Sequence, residues 1–141
     1  MTIRDYQTTD YDQLQSLWEI TRMGGKFRGD NKEIIENTIK SGGKLIVLLQ
    51  DDKLIGSSWI TNDARRLYLH HFGILPAYQG RGFSKMLLDE SLKFARKTGL
   101  QIKLEVHKNN EIALKLYKKE GFKYLGDYLV YIIREYDQIQ Y

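Results

Sequence analysis

The run Gln79-Gly80-Arg81-Gly82-Phe83-Ser84-Lys85 places two glycines and two cations directly after the chain's only proline, Pro76. Where a strand ends in such a turn and opens straight into a helix, several N–H groups have no carbonyl to meet. They add to the positive end of the helix dipole, and glycines let an anion approach the backbone closely. One or two phosphates could be held there. A tight turn without a ligand is the alternative that the glycines alone leave open. A Walker loop is excluded because Lys85 follows Ser84 rather than glycine, and a dinucleotide fingerprint because Lys85 stands where its third glycine belongs.

Three further groups could move protons. His70 and His71 are adjacent, Glu105 lies in Leu104-Glu105-Val106, and Tyr117 follows Leu116. A histidine has a pKa of about 6.5, already suited to base work. A glutamate must be raised toward neutrality by burial before it can serve. Neighbouring strand residues point to opposite faces, so one pocket would receive at most one of the two histidines. Three histidines and no cysteine make a metal site unexpected. Asn110 precedes a helix-like run and suits an N-cap whatever else it does.

These residues need elements to carry them. Residues 2–6 read as a strand, and "TTDYDQLQSLWEITR" as a helix capped by Thr9 or Asp10, with Leu14, Leu17 and Trp18 at helical spacing. "GGKFRGD" (24–30) reads as a loop, and "NKEIIENTIKSGG" as a helix with Ile34, Ile35, Thr38 and Ile39 on one stripe. Asp51-Asp52 joins two strands, and a third, 66–75, leads into the glycine turn. A helix follows with Leu87, Leu88, Leu92, Phe94 and Ala95 as its apolar residues; then come the strand "LQIKLEVH", the helix "NNEIALKLYKKE" and the extended "FKYLGDYLVYIIREY". The order β-α-α-β-β-β-α-β-α-β implies an α/β (α+β) chain whose mixed sheet is flanked by helices.

With 141 residues, the chain is expected to form one domain over 1–141. No apolar run approaches the ~20 residues of a membrane span, so a membrane protein is not expected and a cytoplasmic one is. The net charge of +4 suits an anionic ligand. The basic residues are scattered rather than gathered on one aromatic-rich face, so no nucleic-acid partner is expected.

The segment "ILPAYQGRGFSKMLL" resembles the acetyl-CoA signature of the GCN5-related N-acetyltransferases, [QR]-x-x-G-x-[GA], here with Ser84 in the last place. "LEVHKNNEIALKLYKKEGF" resembles a second motif of the same family, in family order. The likeness covers residues 66–126, whereas the first 60 match only in their elements. It implies a mostly antiparallel mixed sheet of the acyl-CoA N-acyltransferase fold. It implies acetyl-CoA as co-substrate, with no metal. The backbone of Phe72, Gly73 and Ile74 would pair with pantetheine amides as an added strand does. Gln79, Gly80, Arg81, Gly82, Phe83, Ser84 and Lys85 would hold the pyrophosphate, and Asn110 would also touch the cofactor. The Ile74 N–H would face the developing oxyanion. Tyr117 would be the proton donor to the departing thiolate.

For the base, the resemblance offers Glu105, while His71 and a water chain stand beside it. Without cysteine, an acetyl-cysteine intermediate is excluded and direct attack by a primary amine in a ternary complex is expected. The acceptor, a small amine or a peptide or protein N-terminus, is not legible. A non-catalytic acyl-CoA sensor is the alternative, and a homodimer through the tyrosine- and isoleucine-rich last strand is the self-association the sequence suggests.

Overall fold

A computed structural model describes residues 1–138. Among them, residues 1–107 form one compact unit and the residues from Lys108 onward a second. The first unit is built on a five-stranded sheet, in the order β1 (Thr2–Asp5), β2 (Lys44–Gln50), β3 (Lys53–Asn62), β4 (Leu67–Ile74) and β5 (Ile102–Leu104). The first four strands are antiparallel and β5 runs parallel to β4. This is the mixed sheet that the order of elements implies, mostly antiparallel as the family resemblance implies.

The physical reason for this layering is visible strand by strand. Leu45 to Leu49 are all buried in β2, so the strand is covered on both faces and its sequence is a continuous apolar run. Asp51 and Asp52 take φ of 50° and 62°, the pair of positive angles that lets a two-residue turn follow the twist of β2 and β3. Helix α1 (Tyr11–Thr21) lays Leu14, Leu17 and Trp18 against β3 and β4. It ends where Arg22 turns left-handed at φ 58°. Asp10 stands at the N-cap position but makes no cap bond. Its buried carboxylate instead accepts both guanidinium nitrogens of Arg4, at 2.7 and 2.9 Å, and the Gln7 N–H at 2.8 Å.

In α2 (Lys32–Lys40) Asn31 caps the Ile34 N–H, and only Ile35 is fully buried. Ile34 and Ile39 are exposed, which narrows the expected apolar stripe to one anchoring side chain. Helix α3 (Phe83–Thr98) joins β4 to β5 and buries Leu87, Leu88, Ser91 and Ala95. Ser91 is tolerated there because its hydroxyl donates to the Leu87 carbonyl and shares a 2.6 Å bond with buried Ser58 of β3.

In the second unit, α4 (Glu111–Lys119) starts at Asn110, whose side chain accepts the Ala113 N–H at 3.2 Å. Here the structure departs from the sequence. No strand forms over residues 122–136, where an extended segment is expected. Tyr124, Leu125, Tyr128 to Ile133 and Tyr136 are exposed instead. β-rich composition expresses a fit to a pleated, half-buried surface and makes no strand without a partner ladder. No sheet ladder among the described residues includes this segment.

Candidate functional site

The turn after β4 is the feature singled out in the sequence. A short 3-10 turn, Pro76–Tyr78, leads through Gln79 to Gly80 and Gly82, with φ of 77° and 81°, and α3 opens at Phe83. A Cβ at either glycine would meet nothing within 4 Å. The glycines therefore serve the left-handed angles and an open rim, not close packing. The first bond of α3 runs from Met86 N–H to the Gly82 carbonyl, so the amides before it point out of the helix end. Gln79 has a structural job as well, since its side-chain amide donates to the Ile74 carbonyl at 3.0 Å. Arg81 stacks over Tyr78, and Lys85 pairs with Asp89.

β4 is paired unequally on its two edges. Against β3 it is bonded out to Ile74, which faces Gly56. Against β5 the ladder stops at Leu69 and Leu104. β5 itself ends at Leu104, whereas β4 continues to Ile74. An extended, amide-bearing ligand could add itself along this edge and reach the glycine turn at its end. A Cβ at Gly73 would lie 2.8 Å from the Met23 sulfur, so a larger residue there would displace the end of that flexible side chain.

Opposite Ser57–Trp59, β4 holds one extra residue. Ser57 faces Gly73 and Trp59 faces His70, so His71 and Phe72 share one partner position, and His71 takes φ 41°. This bulge overturns the expectation that the two histidines face opposite sides. Both rings meet Trp59, at centroid distances of 6.2 Å for His70 and 4.9 Å for His71. Bulges break strand alternation and re-aim side chains in this way.

His71 sits in a pocket made by distant parts of the chain. Its ring stands edge-on to Trp18 and Trp59, which stack on each other 5.2 Å apart. Trp18 Nε1 donates to Ser57 Oγ, which donates to the His71 carbonyl. His71 Nε2 lies 2.8 Å from Asp30 Oδ2. The sequence marks Trp18 only as a residue of the α1 apolar stripe, and it does not single out Asp30, Gln15 or Trp59. They come from separate elements, and the only local hint was an aspartate closing the glycine-rich 24–30 loop.

His70 has a different setting. It stacks on Tyr68 at 4.0 Å and bonds Thr61 Oγ1 at 2.9 Å. Burial, with the neighbouring His71 adding to it, pushes its imidazolium down to about 4, so the ring is neutral at pH 7. Tyr68 is pushed up by burial and by its hydrogen bond to Glu105. Glu105 itself is exposed, just past the end of β5. It has the neighbours of a strand-edge carboxylate, without the burial that base work requires.

In the second unit, Tyr117 is 9% exposed and stands edge-on to Phe122. Burial pushes its phenol up to about 12, so it holds its proton at neutrality. Asn110 fills its capping role there.

Comparison with known proteins agrees with this architecture. Over 58 residues the chain is 48% identical to the N-alpha-acetyltransferase RimI of Mycobacterium tuberculosis, covering 41% of this chain and 35% of that protein. The chain thus spans about a third of that relative's length. Among solved structures it is similar to the aminoglycoside acetyltransferase AAC(6')-Iy bound to a CoA bisubstrate analogue, with a TM-score of 0.72, 16% identity, and 94% and 97% of the two chains covered. It is also similar to the ribosomal-protein-S18-alanine N-acetyltransferase of Escherichia coli, with a TM-score of 0.70, 23% identity, and 86% and 77% covered. These low identities carry the fold. The profile described as "Acetyltransferase (GNAT) family" matches residues 11–122, which take in the bulged strand, the glycine turn and both motifs, and the chain belongs to that family.

Proposed function

We propose that the chain is an N-acetyltransferase that moves the acetyl group of acetyl-CoA to a primary amine by direct attack in a ternary complex. The carrying observation is the continuous path along β4. The β4–β5 ladder ends at Leu69 and Leu104, and β4 runs on to the glycine turn that opens α3. In this reading the backbone of Phe72, Gly73 and Ile74 holds the pantetheine arm. The amides from Gly80 to Lys85 hold the diphosphate, with Gln79 keeping the turn in shape and Arg81 adding charge. Acetyl-CoA supplies the activated acetyl group, and this chain's residues supply orientation and proton transfer.

His71 is the base we favour, because it stands on the bulge and is held from two sides. Glu105 lacks burial and is second to it. Tyr117 is the proton donor to the leaving sulfur, supported by its place in the Leu-Tyr motif and by a phenol that stays protonated. Asn110 is assigned the helix cap first and a cofactor contact second. The family match runs through both units, which supports one acetyltransferase domain over the chain. A cytoplasmic location goes with the reading, since it draws on the cytosolic acyl-CoA pool.

Calorimetry with acetyl-CoA tests the binding path, and CoA-thiol release with a panel of amines tests the chemistry. The panel should hold a hexapeptide with a free N-terminal alanine and the aminoglycoside neamine. Binding with thiol release on either amine supports the enzyme. Binding with none across a broad panel makes the chain an acyl-CoA sensor, and no binding ends the reading.

A further inference from the structure

Asp30 lies 41 residues from His71 in the chain and outside both family motifs, yet its carboxylate grips the ring. Its own freedom is removed on several sides. The Gly25 N–H donates to the same Oδ2 at 2.8 Å. Buried Gln15 staples the loop at two points: its side-chain amide donates to the Asp30 carbonyl at 2.6 Å, and its Oε1 accepts the Lys26 N–H at 2.7 Å. Gly24 closes over the pair, so that a Cβ there would collide with both Asp30 Oδ2 and His71 Nε2. The ring, clamped edge-on by Trp18 and Trp59, keeps 17% of its side chain open to solvent.

We propose that Asp30 is the positioning residue for His71. Its carboxylate keeps the proton of the neutral imidazole on Nε2, which leaves the lone pair on Nδ1 to take a proton from the acceptor amine. This rests on the acetyl-transfer reading. One ammonium proton passes to Nδ1 and on to water. As the C–N bond forms and the C–S bond breaks, the nitrogen gives up a further proton, which balances the one taken up by the departing sulfur. A carboxylate fixed in advance costs no reorganisation at that moment. The other charged or titratable groups facing the ring are few. His70 lies on its own strand, with ring centroids 6.3 Å apart. Glu19 on α1 and Lys26 and Arg28 in the loop are exposed. β3 offers only Trp59 and Ser57.

The experiment uses the full chain with 15N-labelled histidine, following the imidazole nitrogens across pH. In the wild type the neutral His71 ring carries its proton on Nε2. Asp30→Asn keeps an acceptor for the Gly25 N–H but removes the charge, and the share of neutral His71 ring that carries its proton on Nε2 falls. kcat/KM for the hexapeptide or neamine falls with it, by roughly 10-fold or more. Asp30→Ala mixes the two tautomers, and Asp30→Glu restores part of the bias. A structural tie alone would change melting temperature without moving the tautomer. An unchanged tautomer in a folded Asp30→Asn protein overturns the proposal, even if Asp30→Ala fails to fold. A His71→Gln enzyme with full kcat/KM also overturns it, while acetyl transfer stands. A wild type that binds no acetyl-CoA refutes the acetyl-transfer reading itself and this catalytic role with it.

Discussion

Acidification should unload the sheet at His70 before it reaches the carboxylates. The ring is pinned between Tyr68, Thr61 and Trp59 and stays neutral down to about pH 4, whereas an unfolded histidine protonates near 6.5. Between those values the unfolded chain binds the extra proton, so stability is full above 6.5 and falls as pH drops toward 4. At about 1.36 kcal/mol per pH unit the interval would amount to roughly 3 kcal/mol. The ring is only partly sealed from water, so screening reduces this to about 1–2 kcal/mol. The buried Asp10 carboxylate, held below its usual range by its hydrogen bonds to Arg4, adds stability that is lost in the same direction but in a lower window, as pH falls below 3.8. The two effects therefore separate along the pH axis. Urea unfolding of the wild type and of His70→Gln, at steps between neutrality and about pH 4, isolates the term, because every other titrating group is shared. The wild type should lose the additional 1–2 kcal/mol, roughly, over this range. Parallel stability curves for the two proteins would refute the argument, and with it the claim that His70 is neutral in the fold.

Gly82→Ala imposes a left-handed angle on a residue with a Cβ but meets no neighbour. It should cost about 1–2 kcal/mol of stability and weaken acetyl-CoA binding, as calorimetry would show. Tyr117→Phe keeps the packing on Phe122 and removes the donor. CoA-thiol release should fall by roughly 100-fold or more while acetyl-CoA affinity holds, and an unchanged rate would remove Tyr117 from the chemistry. Leu87→Ala opens a cavity between α3 and the sheet at a fully buried position. Denaturant unfolding should record a loss of about 2–5 kcal/mol at unchanged m-value.

Much of the scaffold was legible because its signals are local. The Asp51-Asp52 turn, the Asn110 cap and the inward residues of α1 and α3 each follow from a few neighbouring residues. The glycine turn belongs with them, since its angles and its helix end are set within about ten residues. The expected strand over 122–136 went the other way. Its apolar and aromatic content was read correctly as composition, but a ladder needs a second edge that composition does not supply.

The proton-transfer side was only half visible. His71 could be named from the sequence, but alternation along an ideal strand placed His70 and His71 on opposite faces. The bulge opposite Ser57–Trp59 placed both rings on Trp59. The sequence by itself determined the order of elements, the anion-ready turn and the candidate groups, because those depend on propensities and short-range spacing. Only the tertiary structure decided which carboxylate meets which imidazole. Asp30 and His71 are joined by a β4 bulge and by a loop stapled to α1 through Gln15. Contacts between residues 41 apart depend on how helices and strands pack, and no local pattern encodes that.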